Sequence, residues 1–462
     1  MDITFHGAAG EVTGSCYLIR VNGRQLLLEC GLIQGTAKEE ARNRQPFPFD
    51  PGRIDAMVLS HAHIDHSGRI PLLVKSGFSG PIYTQRACRD LCRIMLRDSA
   101  FLNEKDAEWA NRKRLRKGLK PEEPLYTVKD AQAAIRRFKT LDYDQEQEIL
   151  PGVRIRFRDA GHILGSSIVE LWLHEGNRST KLVFSGDLGH AGAPILRDPT
   201  VIESADRVLL ESTYGDRLHR SWDETWKEMA EVMEAAQKGK GNILIPSFAV
   251  GRTQELLYLF AKNFDHWKLG RWQIFLDSPM AIEATEVYAH HSELYDKDAW
   301  ELFRRNHHTP LLPNLHFTRT PNQSMQLNRV RSGAIIVAAS GMCTGGRIKH
   351  HLKHNIWRSD CHLIIVGFQA QGTLGRALVE GASHIRLWGE TIRVAAQVHT
   401  VGGLSAHADQ QGLVDWYRHF QNSPPVVLVH GEEKPQQVLT ERLQQETGAR
   451  VQRAEPGMRL AL

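Results

Sequence analysis

The sequence predicts an α/β fold, and three observations carry that expectation. Short β-branched runs alternate with longer amphipathic stretches along most of the 462 residues. Histidines and aspartates flanked by glycine stand directly after several strand-like runs, where α/β proteins build their sites. No tandem repeat, low-complexity tract or Gly/Ser linker divides the chain, so its domains are expected to pack intimately.

Strands are expected at 16–21, 25–29, 56–60, 168–173 and 181–185, each a short run rich in aliphatic or β-branched residues. Residues 86–140 read mainly as helix, with a break around 118–124 where Gly118 and Pro121 interrupt the pattern. From Val208 a second alternating series begins, with strands expected at 242–246, 273–276, 334–338 and 362–366 and a helix at 252–263. Strand signals return at 391–395 and 426–430.

The chain is long enough for two or three domains with sizeable cores, and 41% of it is apolar. No apolar run approaches the ~20 residues that a membrane span needs. The opening Met1-Asp2-Ile3-Thr4-Phe5-His6 lacks the basic flank and long apolar stretch of a signal peptide, so a cytoplasmic protein with no membrane partner is expected. Cysteines are scattered at 16, 30, 88, 92, 343 and 361 without a CxxC pair, which predicts reduced, packed thiols. Lys and Arg outnumber Asp and Glu by 58 to 53, a mild excess that permits a polyanionic partner. Residues 111–120 hold six positive charges in ten positions, either a phosphate contact or the solvated end of a helical hairpin.

The most constrained string is His61-Ala62-His63-Ile64-Asp65-His66, which follows the apolar run Met57-Val58-Leu59-Ser60. Imidazoles and a carboxylate at this density are the ligand types that Zn²⁺ accepts at roughly 2.0–2.2 Å. A solvated His-rich loop is the bland alternative, and the strand-like run before the motif weighs against it. A complete centre needs ligands from other strand ends. Gly161-His162-Ile163-Leu164-Gly165-Ser166 offers a histidine between glycines, and Phe184-Ser185-Gly186-Asp187-Leu188-Gly189 offers an aspartate after an apolar run. Alone, either string reads as a packed histidine or a turn; after HxHxDH, in this order, both read as ligands.

In these motifs the chain resembles the metallo-β-lactamase-fold hydrolases, and among them the β-CASP branch of nucleic-acid-processing nucleases, especially its stand-alone bacterial members. Further landmarks extend the resemblance: Leu210-Glu211-Ser212-Thr213-Tyr214-Gly215-Asp216, Leu404-Ser405-Ala406-His407-Ala408-Asp409 and Val427-Leu428-Val429-His430-Gly431-Glu432. Strings at 246–252, 276–280 and 340–347 carry it over essentially the whole chain. The resemblance implies an αββα sandwich made of 1–207 and 389–462, with an inserted α/β β-CASP domain at 208–388. It also implies two Zn²⁺ ions, with Mn²⁺ as the alternative. His61, His63 and His162 would hold one ion, Asp65, His66 and His430 the other, and Asp187 would bridge both. Such a pair shares a hydroxide and polarises a phosphoryl oxygen. Asp65 and Asp187 thereby join the catalytic set, in which His407 is the general acid and Glu211 holds its other ring nitrogen.

Glu29 departs from the family, which usually carries Asp after its early strand; it is expected to orient the ligands from behind. Phosphate donors are expected on Gly-rich turns leading into helices, with Ser247, Arg252, Ser340, Arg347, Thr373, Arg376 and Ser405 as candidates. His350, His351 and His354 read as a packed or solvated helix face, and His290, His291, His307 and His308 receive the same bland reading. The function implied is zinc-dependent endoribonuclease action on single-stranded RNA. The alternatives are a DNA-directed nuclease, which His430 disfavours, and a small-molecule metallo-hydrolase, which leaves the large insertion and the Glu211/His407 pair unexplained. A complete ligand set argues against an inactive RNA-binding subunit. A homodimer is compatible with the sequence, and no appended RNA-binding domain is expected before Met1 or after Leu462.

Overall fold

Side-chain alternation along the strands sets the layers of the first unit, which comprises residues 1–191, 198–218 and 407–462. The computed structural model describes residues 1–305 and 312–462; His307 and His308 lie outside the described residues. The first sheet of this unit has the order β22 (Arg459–Ala461), β1 (Asp2–Gly7), β2 (Cys16–Val21), β3 (Arg24–Leu28), β4 (Ala56–Val58), β5 (Ile82–Gln85), β6 (Phe138–Leu141). The second has the order β21 (Val451–Arg453), β20 (Val426–Val429), β11 (Arg207–Glu211), β10 (Arg178–Phe184), β9 (Ser167–Glu175), β8 (Val153–Asp159), β7 (Glu146–Leu150).

Along β11, Leu209 enters a core with Phe5, Tyr17, Leu28 and Val58 of the first sheet. Its neighbours Val208 and Leu210 point the other way, onto Leu413 and Tyr417 of the helix Gln410–Arg418 and Leu439 of the helix Glu433–Thr447. A strand covered on both faces is apolar through its middle, which is why residues 208–210 of β11 and Val426–Val429 of β20 read as continuous hydrophobic runs. The helix Arg86–Leu115 packs on β5 and β6 of the first sheet. The layers are therefore helix, sheet, sheet and helix, the αββα sandwich implied by the motifs. Strands β3 to β6 run parallel, as do β10, β11, β20 and β21. Their C-terminal ends deliver Glu29, Ser60, Asp187, Glu211 and His430.

The second unit, residues 192–197 and 219–406, holds a parallel sheet in the order β14 (Leu315–Phe317), β13 (Gln273–Leu276), β15 (Ala334–Ala338), β12 (Ile243–Pro246), β16 (His362–Ile365), β19 (Gln397–Thr400). A hairpin of β17 (His384–Leu387) and β18 (Glu390–Arg393) joins its core through Ile385, Leu387 and Ile392. The division departs from the expected boundaries at 207/208 and 388/389. β11 is hydrogen-bonded to both β10 and β20, so the first unit runs on to Leu218. β18 pairs with β17 across 388/389, and β19 pairs with β16, which carries the second unit to Ala406.

At the end of β13, Asp277 is fully buried. His351 Nε2 bonds it at 2.6 Å, Ser324 Oγ donates at 2.6 Å and Arg347 donates at 2.7 Å. Burial works to raise its pKa, but the bonds from His351, Ser324 and Thr318 outweigh burial and hold the carboxyl well below its usual range. A carboxylate depressed in the folded state adds stability that is complete above its unfolded pKa of ~3.9 and is lost as the pH falls through the folded value. Asp277→Asn is therefore expected to lower the thermal midpoint at neutral pH, with the gap to wild type closing below about pH 4. A gap that stays constant across that range would sink this account. The same contact makes His351 a packed helix histidine, as its spacing predicts.

All six cysteines are buried and free. Among the described residues, no helix is long and apolar enough to cross a membrane.

Candidate metal centre

The HxHxDH motif lies on the turn after β4 and is stapled to the residue before β2 and to the chain leaving β3. Ser15 N–H donates to the Asp65 carbonyl at 2.9 Å, Cys30 N–H to His66 at 2.8 Å and Leu32 N–H to Ile64 at 2.8 Å. Gly31 permits this close approach, because a Cβ there would stand 1.6 Å from the Asp65 carbonyl oxygen. Two of the site's side chains are aimed by strained backbone. Glu29 and His430, at the ends of β3 and β20, hold φ of 65° and 49°. That left-handed region costs a non-glycine residue about 1–2 kcal/mol.

The side chains form two adjoining clusters. In one, His63 Nδ1 lies 3.2 Å from His61 Nε2 and 3.1 Å from His162 Nε2. In the other, His66 Nε2 and His430 Nε2 are 3.1 Å apart, and Asp65 Oδ2 is 3.4 Å from His430 Nε2. Asp187 faces both with different oxygens. Its Oδ2 is 3.4 Å from His61 Nε2 and 3.7 Å from His162 Nε2, while its Oδ1 is 3.4 Å from His66 Nε2 and 3.5 Å from His430 Nδ1.

Glu29 stands behind the histidines. Its Oε2 meets His66 Nδ1 at 2.6 Å and accepts from Ser60 Oγ at 2.9 Å, while Oε1 accepts from Ser60 N–H at 2.7 Å. Ser60 Oγ in turn meets His61 Nδ1 at 3.0 Å, so one carboxylate orients a histidine of each cluster. Thr213 Oγ1 does the same for His430, at 3.0 Å from its Nδ1. Sequence reasoning missed Ser60 and Thr213, although each is a hydroxyl residue beside a strand end that bears a ligand. Glu29→Ala is expected to weaken metal affinity about 10- to 100-fold, measured by competition with a chelator. Unchanged affinity would remove the orienting role.

Glu211 is fully buried at the end of β11. One oxygen accepts from Leu188 N–H at 2.9 Å and meets His407 Nδ1 at 3.2 Å; the other accepts from Thr213 N–H at 3.2 Å. His407 is fixed from its backbone as well, since Ala408 N–H donates to the Leu188 carbonyl at 2.7 Å. Its ring lies 4.4 Å from the His162 ring, and its Nδ1 is 3.9 Å from Asp187 Oδ2. Burial disfavours its charge, but the Glu211 carboxylate, aided by Asp187 and Asp65, overcomes burial and raises the pKa to about 9.

These residues fit metal ions. Asp187 Oδ1 is buried and has no hydrogen-bond partner among the described residues, though a cation would satisfy it. Burial lowers His63 to about 4, leaving a neutral ring with a lone pair to offer. Burial opposes charge on His66 too, yet Asp187 and Asp65 prevail and push its pKa well up. The carboxylates thus draw positive charge into the cluster, which a metal cation would supply. Ligand atoms of His61, His63, His162 and Asp187 all lie within 4.8 Å of one another, as do those of Asp65, His66 and His430.

The chain is similar to known proteins over most of its length. Residues 9–247 match the metallo-beta-lactamase superfamily, 253–378 the Beta-Casp domain, and 391–454 the Zn-dependent metallo-hydrolase RNA specificity domain. A ribonuclease of Thermus thermophilus is 39% identical over 434 residues, covering 94% of each chain. The chain belongs to the β-CASP branch of the metallo-β-lactamase superfamily. This β-CASP protein is therefore a metal-dependent hydrolase. It is also 30% identical to a transcription termination factor, FttA, of Methanocaldococcus jannaschii, over 93% of its own length and 67% of the factor's. A solved structure of a protein of unknown function from Enterococcus faecalis shares the fold, with a TM-score of 0.57, 13% identity and coverage of 100% of this chain and 99% of that one.

The phosphate-donor candidates of the β-CASP protein all lie in the second unit, where most have structural partners. Arg252 is buried, paired with Glu255 and donating to the Leu404 carbonyl, so it braces the segment that leads to Ser405. Arg347 is held by Asp277 and by the Thr318 carbonyl at 2.8 Å. Thr373 caps the helix Leu374–Val379, and Arg376 pairs with Glu380 at 2.6 Å. Ser247 Oγ accepts from Thr253 at 3.1 Å, and Ser340 Oγ accepts from Gly345 N–H at 3.1 Å.

Proposed function

We propose that this chain is a zinc-dependent endoribonuclease that hydrolyses phosphodiester bonds in single-stranded RNA. The observation that carries the reading is one carboxylate, Asp187, facing two histidine clusters with the Glu211–His407 pair beside it. The match of residues 391–454 to an RNA specificity domain and the likeness to a ribonuclease support RNA over DNA.

His61, His63 and His162 form one donor set, Asp65, His66 and His430 the other, and Asp187 offers one oxygen to each. Two zinc ions so held would supply Lewis acidity toward the phosphoryl oxygens and a water acidified toward pKa ~7. The departing ribose oxygen needs a proton. The Glu211 carboxylate raises the pKa of His407 and so favours its protonated ring, and with Nδ1 turned to Glu211 its proton delivery falls to Nε2. Such a transfer is worth ~10²–10⁴-fold.

The test is incubation of the metal-loaded protein with end-labelled single-stranded RNA and with DNA of the same sequence, beside Asp187→Ala and His407→Ala. RNA is expected to be cut internally and DNA left intact, with both variants slowed. Cleavage of neither polymer removes the nuclease reading, and cleavage of DNA alone moves the assignment to a DNA-directed nuclease. Equal cleavage by wild type and both variants would mark a contaminant.

A further inference from the structure

The helix Arg86–Leu115 reaches beyond the core that it packs on. Its last buried position is Ala107, after Leu91, Met95 and Ala100. Past that point the chain turns back as a hairpin stapled from inside. The Asn111 carboxamide donates to the Glu122 carbonyl at 2.9 Å and accepts its N–H at 2.8 Å, and Arg114 Nε donates to the Lys120 carbonyl at 2.8 Å.

The outer face of this element alternates aromatic and basic side chains at helical spacing. Phe101 and Trp109 are 49% and 64% exposed. Each has a lysine one turn further along beside its ring, Lys105 at 5.7 Å and Lys113 at 4.8 Å. Arg112, Arg116 and Lys117 follow, all exposed, and among the described residues none of them has a carboxylate within ion-pair distance. Lys105 also pairs with Glu108 at 2.9 Å, so the unpaired cations gather beyond Trp109. Exposed rings followed by unpaired cations suit a partner that combines π faces with a chain of negative charges, which is a single-stranded nucleic acid. A second copy of this chain fits poorly, because it would set the same cations against themselves.

We propose that this hairpin is an accessory binding site for single-stranded RNA, at which Trp109 stacks on a base and Arg112, Arg116 and Lys117 contact phosphates. The proposal rests on the endoribonuclease reading. The start of the helix abuts the loop that bears His162, since a Cβ on Gly165 would lie 2.5 Å from Cys88 N. At ~1.5 Å per residue, Trp109 sits roughly 30 Å along the helix from there, on the order of nine nucleotides of stacked strand. Only an RNA longer than that engages both places.

The test has two arms. Binding of a ~30-nucleotide RNA is measured by fluorescence anisotropy at several salt concentrations, in an Asp187→Ala background that keeps the RNA intact. Trp109→Ala is expected to weaken binding about 10-fold and Trp109→Phe to retain most of it. Joint replacement of Arg112, Arg116 and Lys117 by Ala is expected to flatten the dependence of log Kd on log salt by about 2. In the otherwise wild-type protein, the same substitutions are expected to leave cleavage of a ~5-nucleotide RNA unchanged. Affinity and salt slope equal to those of the parent would overturn the proposal, as would an equal loss on the short RNA. Failure of the wild type to cut either RNA, with binding of the long one still sensitive to Trp109, would instead count against the endoribonuclease reading alone.

Discussion

Asp187→Ala is expected to remove tightly bound metal and to lower hydrolysis by about 10³-fold or more, since metal chemistry supplies several kcal/mol and each 1.36 kcal/mol is tenfold. Asp187 faces both clusters, with Oδ2 toward His61 and His162 and Oδ1 toward His66 and His430. Its pKa stays well down despite burial because His430, His66 and His61 surround it, so it is ionised at any working pH. The variant keeps five clustered imidazoles but loses the negative charge that faces both clusters. Metal content by mass spectrometry and the rate on RNA check this together, and full content with full activity would sink the shared-ligand role.

His407→Ala is expected to leave metal content intact and to lower kcat by ~10²–10⁴-fold. That split between content and rate separates a proton donor from a ligand. Glu211→Gln gives the sharper readout. The Glu211 carboxylate is the main force raising His407 to about 9, so without it the ring titrates at lower pH. Activity that needs the protonated ring is lost as the pH rises through its pKa, hence the alkaline limb of the pH–rate profile is expected to move to lower pH in Glu211→Gln. A limb that does not move would show that His407 is not the acid, whatever the loss in rate.

Much of this was legible in the residues. The buried parallel strands β4, β12, β15, β16 and β20 announce themselves as apolar runs because both of their faces are covered. Some strands that escaped notice have weak signatures: β7 is mostly charged, and β14, β21 and β22 span three residues each, too short for a period to register. β8 is different, because Val153, Ile155 and Phe157 alternate with Arg154, Arg156 and Arg158 in a legible period of two that sequence reasoning missed. β6 begins at Phe138, inside a stretch expected to be helical; the helix Val128–Ile135 ends first, and Leu141 enters the core between the sheets. The domain boundaries shifted for a related reason, since pairing partners decide which unit a strand joins and partners are distant in sequence.

By itself the sequence determined the kind of centre: imidazoles and carboxylates at strand ends, in the order His-x-His-x-Asp-His, His, Asp, Glu, His, His. Only the tertiary structure decided which atoms meet. His66 and His430 are 364 residues apart, Thr213 and His430 217, and His407 and Glu211 196, and each pair is brought within 3.2 Å. The physical reason is that ligand chemistry resides in single side chains, whereas donor geometry comes from the register of parallel strands and the strained turns that end them. Glu29 illustrates both: its presence in place of Asp is a fact of sequence, and its grip on His66 and, through Ser60, on His61 exists only once β3 and β4 lie side by side.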